Sequence, residues 1–208
     1  MKPGTALAAV FAAALLSIAP APGHAAVIRY QAVLSPEAPG ATGSGMVRVD
    51  YDTLASTLLV MANWSGLSGP TTVAHIHCCT AVPGTGTVGV AVTPSTLPGF
   101  PEGTTSGSYT SPLLDLTAAP TFTGGFITNF AGSLANAEET LIAGFDAGRA
   151  YFNVHTQSFP GGEIRGFLQA VPEPASWTLL ALALAGLAAT GAVRRHGLRA
   201  VAVALNRG

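Results

Sequence analysis

The chain has 208 residues, 49% of them hydrophobic and only 9% charged, with a formal net charge of −1. That charge fraction lies far below the roughly 25% of ordinary soluble domains, and a near-neutral chain lacks the basic stripe of a nucleic-acid binder. Low charge with high apolarity also excludes a largely disordered chain.

The first residues read as an export signal over 1–25. Lys2 supplies a positive start, and residues 6–19 are apolar apart from Ser17. Pro20 and Pro22 stop any helix, and Gly23 and Ala25 place small residues at −3 and −1 for cleavage after Ala25.

The middle of the chain predicts an antiparallel β-sandwich with one short helix. Residues 27–34 form a first strand rich in β-branched and aromatic side chains. Residues 43–51 alternate, with Met46, Arg48 and Asp50 against Val47, Val49 and Tyr51, as a half-buried strand requires. Further strands are expected at 54–64, 73–78 and 88–92. Residues 93–120 are dominated by Pro, Gly, Ser and Thr and read as loop, with one strand near Tyr109. Residues 134–147 switch to a helical period. Leu134, Leu141, Ile142 and Phe145 share a face opposite Glu138 and Glu139, with Ser133 as candidate N-cap and Gly148 as C-cap. Strands at 149–156 and 163–169 close the domain around a Phe159-Pro160-Gly161-Gly162 turn. Many short strands with turns between them indicate a sandwich or barrel, of the immunoglobulin or Cu,Zn superoxide dismutase Greek-key kind.

The C-terminal segment, 172–208, has another character. Pro172-Glu173-Pro174 precedes an uncharged stretch, 175–193, and Arg194-Arg195 follow at once. About 20 apolar residues span a bilayer as a helix. Trp177 at one edge and the arginines at the other set the tail in the cytoplasm. The ordered combination resembles the PEP-CTERM sorting signal of Gram-negative bacteria. The resemblance implies a precursor held in the inner membrane, processing by an exosortase, and release to the cell surface or extracellular matrix. Residues 197–208 continue past the arginines, which is longer than such signals usually run.

Between the two ends, 26–171 carries nine carboxylates against four arginines and no lysine. Ala74-His75-Ile76-His77, the run from Gly148 through Tyr151-Phe152-Asn153-Val154-His155 to Thr156, and Phe159-Pro160-Gly161-Gly162-Glu163-Ile164-Arg165-Gly166 resemble the chordin-type (CHRD) domain. That resemblance implies the fold and an extracellular setting rather than a chemistry, and the expectation beside it is a non-enzymatic binding or structural module with matrix polysaccharide or protein as partner.

His75, His77 and His155 are the only histidines of this middle segment. On a strand, His75 and His77 point to one face with Cα atoms roughly 6.5–7 Å apart. If the strand bearing His155 lies beside them, three nitrogens and an open position suit copper or zinc. The competing expectation is structural, with the rings bonded to one another, to backbone or to Glu163. The His-x-His strand and the later Val154-His155 are also similar to the copper strands of Cu,Zn superoxide dismutases. No bridging histidine and no zinc subsite accompany them, so dismutase activity is not implied.

Cys78 and Cys79 are adjacent. Export favours oxidation, and the alternatives are a vicinal disulfide, a Cys79 thiolate on the histidine face, or free or intermolecular thiols. Asp50 and Asp52 share a strand face, either solvated or weakly cation-binding. Glu163 and Arg165 stand at i, i+2 and are expected to form a structural charge pair. No nucleophile elbow, phosphate loop or dinucleotide fingerprint is present, and Gly84-Thr85-Gly86 reads as a turn. The expected function is therefore an exported surface or matrix module, with a copper or zinc redox or storage protein as the alternative.

Overall fold

A computed structural model describes residues 27–172, 182 and 184–187. The expected signal over 1–25 lies outside them, as does all but five residues of the apolar span 175–193. Among the described residues no helix is long and apolar enough to cross a membrane.

Three strands make a regular meander: β1 (Val27–Pro36), β2 (Ser44–Asp52) and β3 (Thr57–Ser65). All pairs are antiparallel, with Tyr30 opposite Val49 and Val49 opposite Val60. Their inward positions are apolar without exception: Tyr30, Ala32, Leu34, Val47, Val49, Leu58, Val60, Ala62 and Trp64. Period-2 patterning fixes this register, because a one-residue slip would turn every one of these side chains into water. β6 (Gly107–Thr110) and β7 (Leu114–Asp115) extend the edge along β3. The predicted strand near Tyr109 is β6, and β7 is a second short strand beyond it.

The other half is built from β4 (Thr71–His77), β5 (Val90–Val92), β8 (Tyr151–Thr156) and β9 (Ile164–Phe167), with β10 (Gln169–Ala170) on β1. The strand order is β5-β4-β8-β9-β1-β2-β3-β6. The halves are therefore continuous rather than separate sheets. β1 is long enough to pair with β2 along most of its length and to offer Ser35 and Pro36 to β9. The sheet curls, so Ala74, Ile76, Phe152, Val154 and Ile164 from this half share one core with the meander.

The helix starts later than its pattern suggests. Leu134–Asn136 is a 3-10 turn, and Ser133 before it makes no side-chain cap bond. α2 (Ala137–Asp146) follows, after a single helical turn α1 (Gly124–Phe126) capped by the Thr123 hydroxyl. Ala137, Leu141 and Phe145, four apart, are buried on one stripe. Gly148, with φ of 62°, closes the helix as a left-handed residue, where a side chain would be strained. The Tyr30 hydroxyl donates to Asp146 at 2.7 Å and the Tyr51 hydroxyl to Glu138 at 2.6 Å, tying α2 to the meander. The helical turns between Ala119 and Ala131 escaped the sequence reading, since Gly124-Gly125 hides their pattern. They are held by Phe122, Phe126 and Phe130, stacked in series at 5.7 and 6.0 Å.

Candidate metal site

β4 and β8 are buried on both faces. Ala74, Ile76, Phe152 and Val154 face the core. Alternation sends His75, His77, Tyr151, Asn153 and His155 to the opposite face. Register then aligns them across strands: His75 opposite Asn153 and Asn153 opposite Arg165, then His77 opposite Tyr151 and Tyr151 opposite Phe167. The loop from β4 to β5, the loop after β5, and the β8–β9 turn cover this face. His75 and His77 are only 7% and 8% exposed, while His155 at the rim is more open.

The covering loops engage each imidazole through one nitrogen. His75 Nε2 lies 2.8 Å from the Ser95 carbonyl, His77 Nδ1 2.7 Å from the Val88 carbonyl, and His155 Nδ1 2.7 Å from the Pro160 carbonyl. A carbonyl only accepts, so each of these nitrogens carries the proton and donates. In the neutral rings the other nitrogens, His75 Nδ1, His77 Nε2 and His155 Nε2, are bare lone pairs. One ring nitrogen from each histidine lies within 4.8 Å of the others, and the bare His75 Nδ1 and His155 Nε2 are 3.3 Å apart. Burial pushes the His77 imidazole down to about 4, against the opposing effect of the Val88 carbonyl. Burial also lowers His75, again opposed by its carbonyl partner at Ser95. Both rings are therefore held neutral near pH 7, the form that ligates metal.

Aromatic and charged groups brace the cluster. Tyr151 stacks on His77 with centroids 4.6 Å apart and planes 5° from parallel. The Arg165 guanidinium lies over the Tyr151 ring at 5.2 Å and the Phe167 ring at 5.6 Å. Arg165 also donates to the Gly86 carbonyl at 3.0 Å and reaches Glu37 at 3.4 Å. Glu37 in turn accepts from Asn153 Nδ2 at 3.2 Å, and Asn153 Oδ1 lies 3.1 Å from His77 Nε2. Burial raises the Glu37 carboxyl, while Asn153 and Arg165 pull it back.

One expectation is corrected here, and the alternatives left open at the other residues are resolved. Arg165 pairs with Glu37, not with Glu163. Glu163 is wholly buried and accepts from Ser68 N–H at 2.5 Å, the Ser68 hydroxyl at 2.7 Å and the Thr156 hydroxyl at 2.6 Å. It stitches the β3–β4 connection to β8, and its hydrogen-bond partners include no histidine. The i, i+2 spacing put both residues near one strand face but could not show which loops would reach them first. Cys78 and Cys79 form a disulfide across a cis peptide, with Cα atoms 3.0 Å apart. Both sulfurs sit under α2, where a Cβ on Gly144 would collide with Cys78 Sγ and come within 2.7 Å of Cys79 Sγ. Neither sulfur is left to join the histidines. Asp50 is bridged by Arg29 at 3.0 Å and Arg48 at 2.9 Å, and Asp52 accepts from Leu54 and Ala55 N–H at 2.9 Å. Gly84 and Gly86 are left-handed turn residues in the covering loop.

The sequence reading missed Asn153, Tyr151 and Glu37. Asn153 and Tyr151 were within reach of the two-residue period counted back from His155. Glu37 was not, because only the curl of β1 against β9 brings it there.

A family model described as the CHRD domain matches residues 25–168, and one described as the PEP-CTERM protein-sorting motif matches residues 170–195. No curated protein and no solved structure matches the chain.

Proposed function

The chain belongs to the CHRD-domain family and carries a PEP-CTERM sorting motif, so it is an exported protein with a membrane-anchored precursor sorted by exosortase; from that premise we propose that its domain, 26–171, is a metal-binding module of the cell surface or matrix. The CHRD domain is not a known enzymatic family, and no catalytic role is proposed.

One observation carries the metal reading. Three imidazoles gather ring nitrogens within 4.8 Å of one another while each ring is fixed through one nitrogen by a backbone carbonyl. A purely structural histidine cluster gains nothing by setting His75 Nδ1 and His155 Nε2 lone pair to lone pair at 3.3 Å. A shared cation turns that repulsion into two bonds, and the carbonyl contacts are the outer-shell partners that orient metal-bound histidines. Imidazole nitrogen suits copper and zinc, and copper(II) binds such sites more tightly. Glu163, the Cys78–Cys79 disulfide and the α2 tethers are read as support for a rigid frame.

The processed protein, freed of metal and reloaded, is expected to hold one copper or zinc ion per chain, lost on His75→Ala. Metal content well below one per chain, unchanged in that variant, would leave only a structural role for the histidines. For sorting, replacing Pro172, Glu173 and Pro174 by alanine is expected to strand uncleaved protein in the membrane. Normal release of that variant overturns the reading of those three residues.

A further inference from the structure

We infer that Asn153 is a fourth donor of this site, through Oδ1, completing a three-nitrogen, one-oxygen set for a divalent copper or zinc ion. The inference rests on the three-histidine reading above and adds a ligand to it.

The argument is one of donors and acceptors. Asn153 is 2% exposed, in the row between His75 and Arg165. Its amide nitrogen donates to Glu37 Oε1 at 3.2 Å. Glu37 is kept as an acceptor by Arg165 on its other oxygen. The amide is thereby oriented, and Oδ1 is turned to His77 Nε2 at 3.1 Å. His77 has already given its proton to the Val88 carbonyl side, through Nδ1 at 2.7 Å. Two acceptors thus face each other at hydrogen-bonding distance with no proton between them. Two acceptors so placed repel unless a cation lies between them.

The same arrangement recurs between His75 Nδ1 and His155 Nε2 at 3.3 Å. Donors about 2.0–2.1 Å from one ion and about 90–110° apart lie about 2.8–3.4 Å from each other. Both pairs fall in that range. Glu37 is then a positioning residue: it fixes which end of the amide meets the ion, and Arg165 fixes Glu37. Asn153 also sits two residues before His155 on one strand, so the backbone that presents one ligand presents the other.

The test uses the processed protein, stripped with chelator and titrated with Cu²⁺ alone and Zn²⁺ alone, with electron paramagnetic resonance of the copper form. Asn153→Leu is expected to weaken binding about 10–100-fold and to shift the copper spectrum, while one-to-one loading survives. Asn153→Asp, which keeps the oxygen but removes the N–H donor, is expected to bind at least as tightly as wild type. A merely structural amide predicts the reverse order, because the aspartate repels Glu37. Melting of each variant in chelator separates folding from ligation. Wild-type affinity and an unchanged spectrum in Asn153→Leu, with binding still abolished by His75→Ala, overturn the role of Asn153 alone. Failure of the wild type to take up metal overturns both readings.

Discussion

The two halves of the curled sheet treat their outer faces in opposite ways. Outside β1 and β2 the face is open, and Arg29, Arg48 and Asp50 pair there in contact with solvent. Outside β4 and β8 the face is covered, and it holds His75, His77, Tyr151 and Asn153. The inner faces are alike, since both give apolar side chains to one core. The contrast teaches that core formation left the second face of β4 and β8 free for another use. Burying polar groups there costs stability unless each is bonded, and the loops from β4 to β5 and after β5 supply the carbonyls.

Substitutions should expose this asymmetry, and the largest effect is expected at Glu163, where the covered half is stitched to the β3–β4 connection. Glu163→Ala removes the acceptor of two hydroxyls and two backbone N–H groups, and should cost about 3–5 kcal/mol in urea unfolding, since each hydrogen bond to a charged acceptor contributes about 1.5–3 kcal/mol. A loss under about 1 kcal/mol would mean that water replaces the carboxylate freely.

The same carboxylate predicts a pH dependence. Burial alone would raise its pKa, but the donors from Ser68, Thr156 and Thr42 outweigh it and hold the group below its ordinary 4.5. The unfolded chain then binds the proton more readily, so this stabilisation is complete above about 4.5 and fades as pH falls through the folded value. Glu163→Gln should flatten that acid limb of a stability-versus-pH curve, and an unchanged limb would assign acid sensitivity to other groups.

A smaller cost is expected for Gly144→Ala, which drives a methyl group into the paired sulfurs of Cys78 and Cys79. Overpacking of this kind should cost about 1–3 kcal/mol, read as a lowered melting temperature. A similar cost, about 1–3 kcal/mol, is expected for His77→Leu in chelator, since the Val88 carbonyl loses its 2.7 Å ring donor and keeps only the Tyr151 hydroxyl at 3.2 Å. The smallest belongs to the open face. Asp50→Asn should cost under about 1 kcal/mol, and the difference should shrink in high salt. Equal costs for His77→Leu and Asp50→Asn would erase the distinction between the two faces.

Much of this was legible in the residues themselves. The antiparallel class, the meander and most strand positions follow from period-2 alternation, and helix α2 follows from the helical spacing of Leu141, Ile142 and Phe145. The pairing of His75 with His77 on one face is a property of any strand. The partner of Arg165 was misread because the exchange of Glu163 for Glu37 depends on how far the sheet curls. The address was legible as well, since a sorting signal is marked by the order of its residues along the chain and the family match agrees with it.

Folding alone settled what the histidines face. Their separation along the chain, His75 to His155, says nothing about distance until β4 and β8 pair in register. Which nitrogen of each ring carries the proton depended on carbonyls at Ser95, Val88 and Pro160, groups that every residue has and no sequence pattern marks. Local order is encoded by periodicity and is visible in one dimension. The chemistry of this site depends on backbone atoms brought together by loops, and only the folded chain places those.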